Sequence, residues 1–180
     1  QDIRWYLGVL IKWNRKPATV NLAHNALLFY YGQILKRKFY DIPFMKKQET
    51  VKDTLTKEEI LKLIEVTSNQ KHKLMIHLLY ATGVRVSELI KIKVSNIDFA
   101  RKLLLVKVGK GNRDRYTILS EKVIAKLREY LKTRKNESNY LFETPNGHIT
   151  SATVQAVLKN AKKKAKITKN VTPHVLRHSF

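Results

Sequence analysis

Cysteine is absent from the chain, which removes disulfides and thiolate metal sites from consideration. Acidic residues are few. Fourteen Asp and Glu stand against 36 Lys and Arg, leaving a formal net charge of +22 and a pI near 10.2. No apolar run approaches the ~20 residues of a membrane span, so no membrane partner is expected. The first residues, Gln-Asp-Ile-Arg-Trp, do not read as a signal peptide. They also lack an initiator Met, and further residues are expected ahead of them. Internal repeats and low-complexity segments are absent.

What is present is enough apolar material for a core, 43% of 180 residues, in one domain or two small ones. The positive excess is not a tail. It is shared out as +6 over residues 1–53, +7 over 54–120 and +9 over 121–180. A charge spread in this way suits a protein that wraps a polyanion, and nucleic acid is the first candidate. The plainer alternative is a soluble basic protein with no specific partner. The expected location is the cytoplasm, on the nucleoid.

Apolar spacing predicts helices over 2–13 and 18–39. In the second, Val20, Ala23, Leu27, Tyr30, Tyr31 and Ile34 form the inner face. Pro17 is expected just before it, with Thr19 as cap. Residues 41–54 show no period and read as linking sequence. The division expected is a helical domain over 1–47, a linker over 48–54 and a second domain over 55–180. In the latter, Thr56 and Glu59 form a capping box, with Leu55 and Ile60 as its hydrophobic staple. An apolar helix over about 71–82 ends at Gly83, and a short helix runs from Ser87 to Lys91. The period then changes from helix to strand. Strands at 96–99, 103–108 and 113–119 predict a small antiparallel sheet with a turn at Gly109–Asn112. Ser120, Ser151 and Thr172-Pro173 open three further helices, with a turn at Pro145-Asn-Gly147 between the first two. In the last helix Leu176 and Phe180 are expected to face the core. The fold class is mainly α with a small antiparallel sheet (α+β).

Two arginines lie where arginine is rarely found. Arg85 is set in Ala-Thr-Gly-Val-Arg-Val-Ser-Glu-Leu-Ile, and Arg177 in Thr-Pro-His-Val-Leu-Arg-His. A guanidinium among apolar residues needs a partner, and a phosphodiester between the two would serve both. Glu88, three residues after Arg85, is placed to orient it; a structural ion pair at a helix junction is the competing explanation. His174, Arg177 and His178 share one helix face. Three readings remain for them: a solvated structural pair, a metal site with His at i and i+4, or a phosphate site carrying a general acid or base. Lys110 stands between two glycines, either as a solvated turn residue or on a backbone able to approach a ligand closely. Arg113 and Arg115 are DNA-backbone candidates or simply exposed strand residues. Lys36, Arg37, Lys38, Lys162 and Lys163 are further DNA-binding candidates.

In order and spacing, the Arg85 segment, Gly-Lys-Gly-Asn-Arg-Asp-Arg (109–115) and Thr-Pro-His-Val-Leu-Arg-His-Ser-Phe (172–180) resemble the tyrosine recombinases of the phage-integrase family, nearest the Xer type. Leu55-Thr-Lys-Glu-Glu-Ile60, Lys16-Pro-Ala-Thr-Val-Asn-Leu22 and Tyr140-Leu-Phe142 extend the resemblance over nearly the whole chain. It implies a helical core-binding DNA-binding domain followed by a catalytic domain. The implied activity is site-specific DNA strand exchange through a 3′-phosphotyrosyl link, without metal, ATP or other cofactor. It serves chromosome dimer resolution or mobile-element integration and excision. Arg85, Lys110, His174 and Arg177 are the matching catalytic positions, with Glu88 in support. Double-stranded DNA is the implied partner. Four protomers are expected on two sites, and a monomer or weak dimer off DNA. The family pattern also has a His or Trp and the nucleophilic Tyr after Arg177. All eight tyrosines, Tyr6 to Tyr140, precede it, so the nucleophile is expected beyond Phe180. The alternative is a non-catalytic DNA-binding fragment or a regulator of recombination.

Overall fold

In the computed structural model, residues 2–37, 42–46, 53–107, 114–134, 138–145 and 147–180 are described. The chain divides into two compact units, Gln1–Val51 and Lys52–Phe180. No helix among the described residues is long and apolar enough to cross a membrane.

The first unit is built from α1 (Asp2–Lys12) and α2 (Pro17–Phe29). Its core is thin: Leu7, Leu10 and Val20 are buried, with Ile3, Ala23, Leu27, Ile42 and Met45 against them. Pro17 is the first residue of α2, not its predecessor, and Lys16 caps it without a side-chain bond. Thr19 therefore lies inside the helix. The helix expected to reach residue 39 changes register instead. Tyr30–Ile34 form a π turn, with the Leu35 amide donating to the Tyr30 carbonyl at 3.0 Å. The extra residue per turn breaks the apolar stripe, and Ile34 ends 59% exposed. Part of the expected linking sequence is fastened down. The Asn21 side-chain amide pairs with both backbone groups of Met45, at 2.9 and 3.0 Å.

In the second unit, α3 (Lys57–Glu65) opens with the capping box of Thr56 and Glu59. α4 (Gln70–Thr82) starts at Asn69, whose side chain accepts the His72 amide at 3.1 Å, and stops at Gly83. Gly83 adopts φ +57°, a left-handed conformation that a side chain disfavours. Met75, Ile76, Leu78 and Leu79 are fully buried, so α4 is the central rod. α3, α6 (Glu121–Thr133), α7 (Ser151–Ala165) and α8 (Pro173–His178) pack around it. Truncating one such side chain to alanine costs about 2–5 kcal/mol.

α5 is one turn, Val86–Leu89, with Arg85 as its N-cap; the helix expected to reach Lys91 ends earlier. β1 (Ile97–Asp98), β2 (Leu103–Val106) and β3 (Arg115–Ile118) form an antiparallel sheet in that order, with Val106 opposite Arg115. The turn expected to join β2 and β3, Gly109–Asn112, lies outside the described residues. A second small hairpin, β4 (Glu143–Thr144) with β5 (Gly147–His148), stands where the sequence indicates only a turn. Thr150, not Ser151, caps α7 by accepting the Thr153 amide at 3.2 Å. Thr172 caps α8, with Pro173 next. Phe180 does not enter the core: the helix ends at His178 with Ser179 as its cap, and Phe180, beyond it, is 72% exposed.

Candidate active site

The site forms around Glu88, the single acid between Glu65 and Asp98. Its position in the only turn of α5 lets it reach back to the start of that helix. The Arg85 amide donates to Oε2 at 2.8 Å and Arg85 Nη1 donates to Oε1 at 3.0 Å. From β3, Arg115 grips both oxygens, Nη1 to Oε1 at 3.0 Å and Nη2 to Oε2 at 2.7 Å. From α8, Arg177 brings Nη1 to 4.0 Å from Oε2, too far for a hydrogen bond. One carboxylate, 5% exposed, thus gathers three guanidiniums from three elements.

The electrostatics follow. Burial alone would raise the Glu88 carboxyl. Hydrogen bonds from the Arg115 side chain, the Arg85 amide and the Arg85 side chain outweigh it and hold the group at about 2. Glu88 is therefore ionised at neutral pH, and the cluster keeps a surplus of two positive charges. That surplus faces outward: the Arg85 and Arg177 side chains are 49% and 31% exposed. Arg177 Nη1 is buried and has no hydrogen-bond acceptor among the described residues. Such a donor is costly without one, and a tetrahedral oxyanion would supply it.

α8 also carries His174, exposed one turn before Arg177, and His178, likewise exposed. The helix is positioned at its end by Ser179, whose hydroxyl donates to the Val175 carbonyl at 2.9 Å and accepts the Leu55 amide at 2.8 Å. The group thus combines anion-binding guanidiniums with an imidazole on the same short helix. That set can hold a phosphodiester and move a proton beside it.

Other residues singled out in the sequence lie apart from this cluster. Lys110, Arg113 and Lys38 fall outside the described residues. Lys36 and Arg37 are exposed after the π turn of the first unit. Lys163 is exposed on α7, while the Lys162 ammonium donates to the Thr168 carbonyl at 3.2 Å and closes the end of that helix.

The role of Arg115 in holding Glu88 was not evident from its motif. A signal existed, because alternation back from buried Leu119 puts Thr117 and Arg115 on the inner face of β3. Arg134, 7% exposed, is the most enclosed arginine of the ion pairs and belongs elsewhere. Its Nη2 donates to Glu143 Oε2 at 2.7 Å and to the Ser138 and Tyr140 carbonyls. It ties the end of α6 to the β4 hairpin, the structural use of a buried arginine.

Residues 53–180 match the model of the phage integrase family. Tyrosine recombinase XerA of Pyrococcus horikoshii is 34% identical over an alignment covering 100% of this chain and 64% of that protein. The crystal structure of XerA recombinase superposes with a TM-score of 0.67 at 30% identity, covering 99% of this chain and 66% of that one. The Tn1549 transposon integrase, solved with a circular intermediate DNA, gives a TM-score of 0.80 at 21% identity over 99% of this chain and 70% of that one, a likeness of fold. The chain spans a little under two thirds of the length of the Pyrococcus relative.

Proposed function

The chain belongs to the phage integrase family, and we propose that it is the DNA-binding and phosphate-activating part of a site-specific tyrosine recombinase. The observation that carries this reading is the gathering of Arg85, Arg115 and Arg177 on one buried, ionised carboxylate. A cluster so overcharged is pre-organised for a phosphodiester in the transition state, where charge on the non-bridging oxygens grows.

In the proposed reaction, Arg85 and Arg177 hold the two non-bridging oxygens of the scissile phosphate. Glu88 fixes the direction of Arg85, and Arg115 fixes Glu88. A tyrosine, which the family pattern puts C-terminal to Arg177, bonds through its oxygen to phosphorus as the P–O5′ bond breaks. His174 takes up the tyrosine proton, and Lys110 supplies one to the departing 5′ oxygen. The 5′-hydroxyl of a partner strand then reverses these steps. The phosphotyrosyl link retains the energy of the original ester, so no nucleotide is consumed. The first unit, with Lys36 and Arg37, is read as the helical DNA-binding domain. Four protomers on two duplex sites, in the cytoplasm, complete the proposal. Its biological use is dimer resolution or mobile-element movement.

A nicked suicide substrate tests the reading with the full-length protein. A covalent protein–DNA adduct is expected. Arg177→Ala should reduce its formation by at least 10²–10³-fold, the scale of a lost oxyanion donor, with a much smaller change in duplex affinity. A protein that binds DNA yet never forms the adduct would leave only the non-catalytic alternative.

A further inference from the structure

Beside Glu88 opens a groove of about 400 Å³ that no step above uses. Its walls come from the turn after α5, the end of β2 and the β4–β5 hairpin region. Lys91, Lys93 and Lys107 line it, and all three are exposed. None makes an ion pair among the described residues, and the acid in the lining, Glu88, is already engaged by Arg85 and Arg115. Three ammoniums around one concavity raise its potential.

The groove is built on a fixed frame. The Val94 amide donates to the Asn139 carbonyl at 2.9 Å and the Leu141 amide to the Ile92 carbonyl at 2.8 Å, joining two walls. Asn96 Oδ1 accepts the Lys93 amide at 3.0 Å. The Lys93 ammonium stands 5.7 Å from the centre of the Tyr140 ring, a cation–π contact that restrains it. Tyr140 in turn meets His148 edge-on, with ring centres 4.9 Å apart. His148 Nδ1 lies 2.6 Å from the Ile149 carbonyl, so that nitrogen carries the proton and donates.

We propose that this groove holds a second backbone phosphate of the DNA whose scissile phosphate sits on the arginine cluster. The groove and the cluster share Glu88 as a common wall, so one continuous polyanion can occupy both. Ammonium groups read charge, not base identity. The subsite therefore positions the strand without adding sequence preference. This inference rests on the reading of the arginine cluster as a DNA phosphate site.

The test uses the present chain and a mixed-sequence 30-base-pair duplex, with affinity measured across a salt series. Each phosphate contact contributes about 0.9 to the slope of log affinity against log salt. Lys91→Gln/Lys93→Gln/Lys107→Gln should lower that slope by about 0.9, the share of one phosphate, and the corresponding triple arginine variant should retain it. Lys62→Gln/Lys122→Gln/Lys132→Gln, with the same loss of charge outside the groove, should leave the slope nearly unchanged. Equal slopes for the two glutamine triples, with the duplex still bound, would overturn the subsite and spare the reading of the arginine cluster. Failure of the unaltered chain to bind the duplex would overturn both.

Discussion

Arg115 and Glu88 meet as a two-pronged ion pair, Nη1 to Oε1 at 3.0 Å and Nη2 to Oε2 at 2.7 Å. The pair joins β3 to α5 and so ties the small sheet to the helix that presents Arg85. Lys110 lies five residues before Arg115 in the chain. The strand that returns from the Lys110 segment is thus anchored on the carboxylate that orients Arg85.

A lysine at position 115 keeps the charge but cannot grip both oxygens. Glu88 then loses one of its constraints, and Arg85 with it. Misplacing a catalytic group by about 1 Å costs roughly 10²-fold. Arg115→Lys should therefore slow adduct formation on a suicide substrate by about that factor, while the salt dependence of duplex binding stays as it was. Unimpaired cleavage would show that Arg115 does not position the site.

The acid limb of stability carries a second signature. The Glu88 carboxyl sits at about 2 in the fold against an ordinary 4.5. Between those values the unfolded chain binds the proton more readily, so stability is fully present above pH 4.5 and falls as pH drops toward 2. The contribution is on the order of 3 kcal/mol. His77 acts in a different window. Burial, with the nearby charges of Lys126 and Lys73, lowers it from 6.5 to about 4. Its stabilising contribution is present above 6.5 and declines toward 4, because the unfolded state gains the proton first. Urea midpoints measured from pH 7 to 2.5 should show His77→Gln flattening the upper decline and leaving the lower one. Glu88→Gln should weaken the lower decline, from a reduced starting stability because Arg115 and Arg85 lose their counter-charge.

The sequence made the helices legible wherever a stripe and a cap coincided, as at Thr56–Glu59, Gly83 and Thr172-Pro173. Legibility failed where backbone register, not side-chain pattern, decides. The π turn at Tyr30–Ile34 leaves no composition signal, and Phe180 follows a helix that has already ended. For the site, Arg85 and Arg177 stood out because guanidiniums among apolar residues demand partners. That Glu88 binds both Arg85 and Arg115 depends on a strand 27 residues away, information that no local motif contains.

Gly83 connects the core rod to the site, two residues before Arg85. Its φ of +57° is poorly tolerated by a β-carbon, and one built there would come within 3.2 Å of the Phe180 ring. The exposed ring can yield, so backbone strain sets the cost, about 1–2 kcal/mol. Gly83→Ala should lower the thermal midpoint accordingly, and Gly83→Asn, which tolerates the left-handed region better, should lower it less. Equal midpoints for all three proteins would contradict the assigned strain.

Arg134 separates the two uses this protein makes of enclosed arginines. Its Nη2 is paired with Glu143 Oε2 at 2.7 Å and also donates to two carbonyls, and the side chain is 7% exposed, so this nitrogen is committed inside the fold. Lys71 donates to the Glu143 carbonyl from the other side. Removing one partner of a buried pair strands the other, at a cost of about 3–5 kcal/mol. Arg134→Ala should therefore lower the urea midpoint strongly, whereas Arg134→Ala/Glu143→Ala should recover part of the loss. Under conditions where the single variant remains folded, its duplex affinity should differ from the unaltered chain by no more than its lost charge predicts, about 0.9 in salt slope at most. Arg177→Ala should show the reverse pattern, a small stability change and a loss of cleavage. If the two substitutions exchanged these outcomes, the division between structural and functional arginines drawn from Glu88 and Glu143 would be wrong.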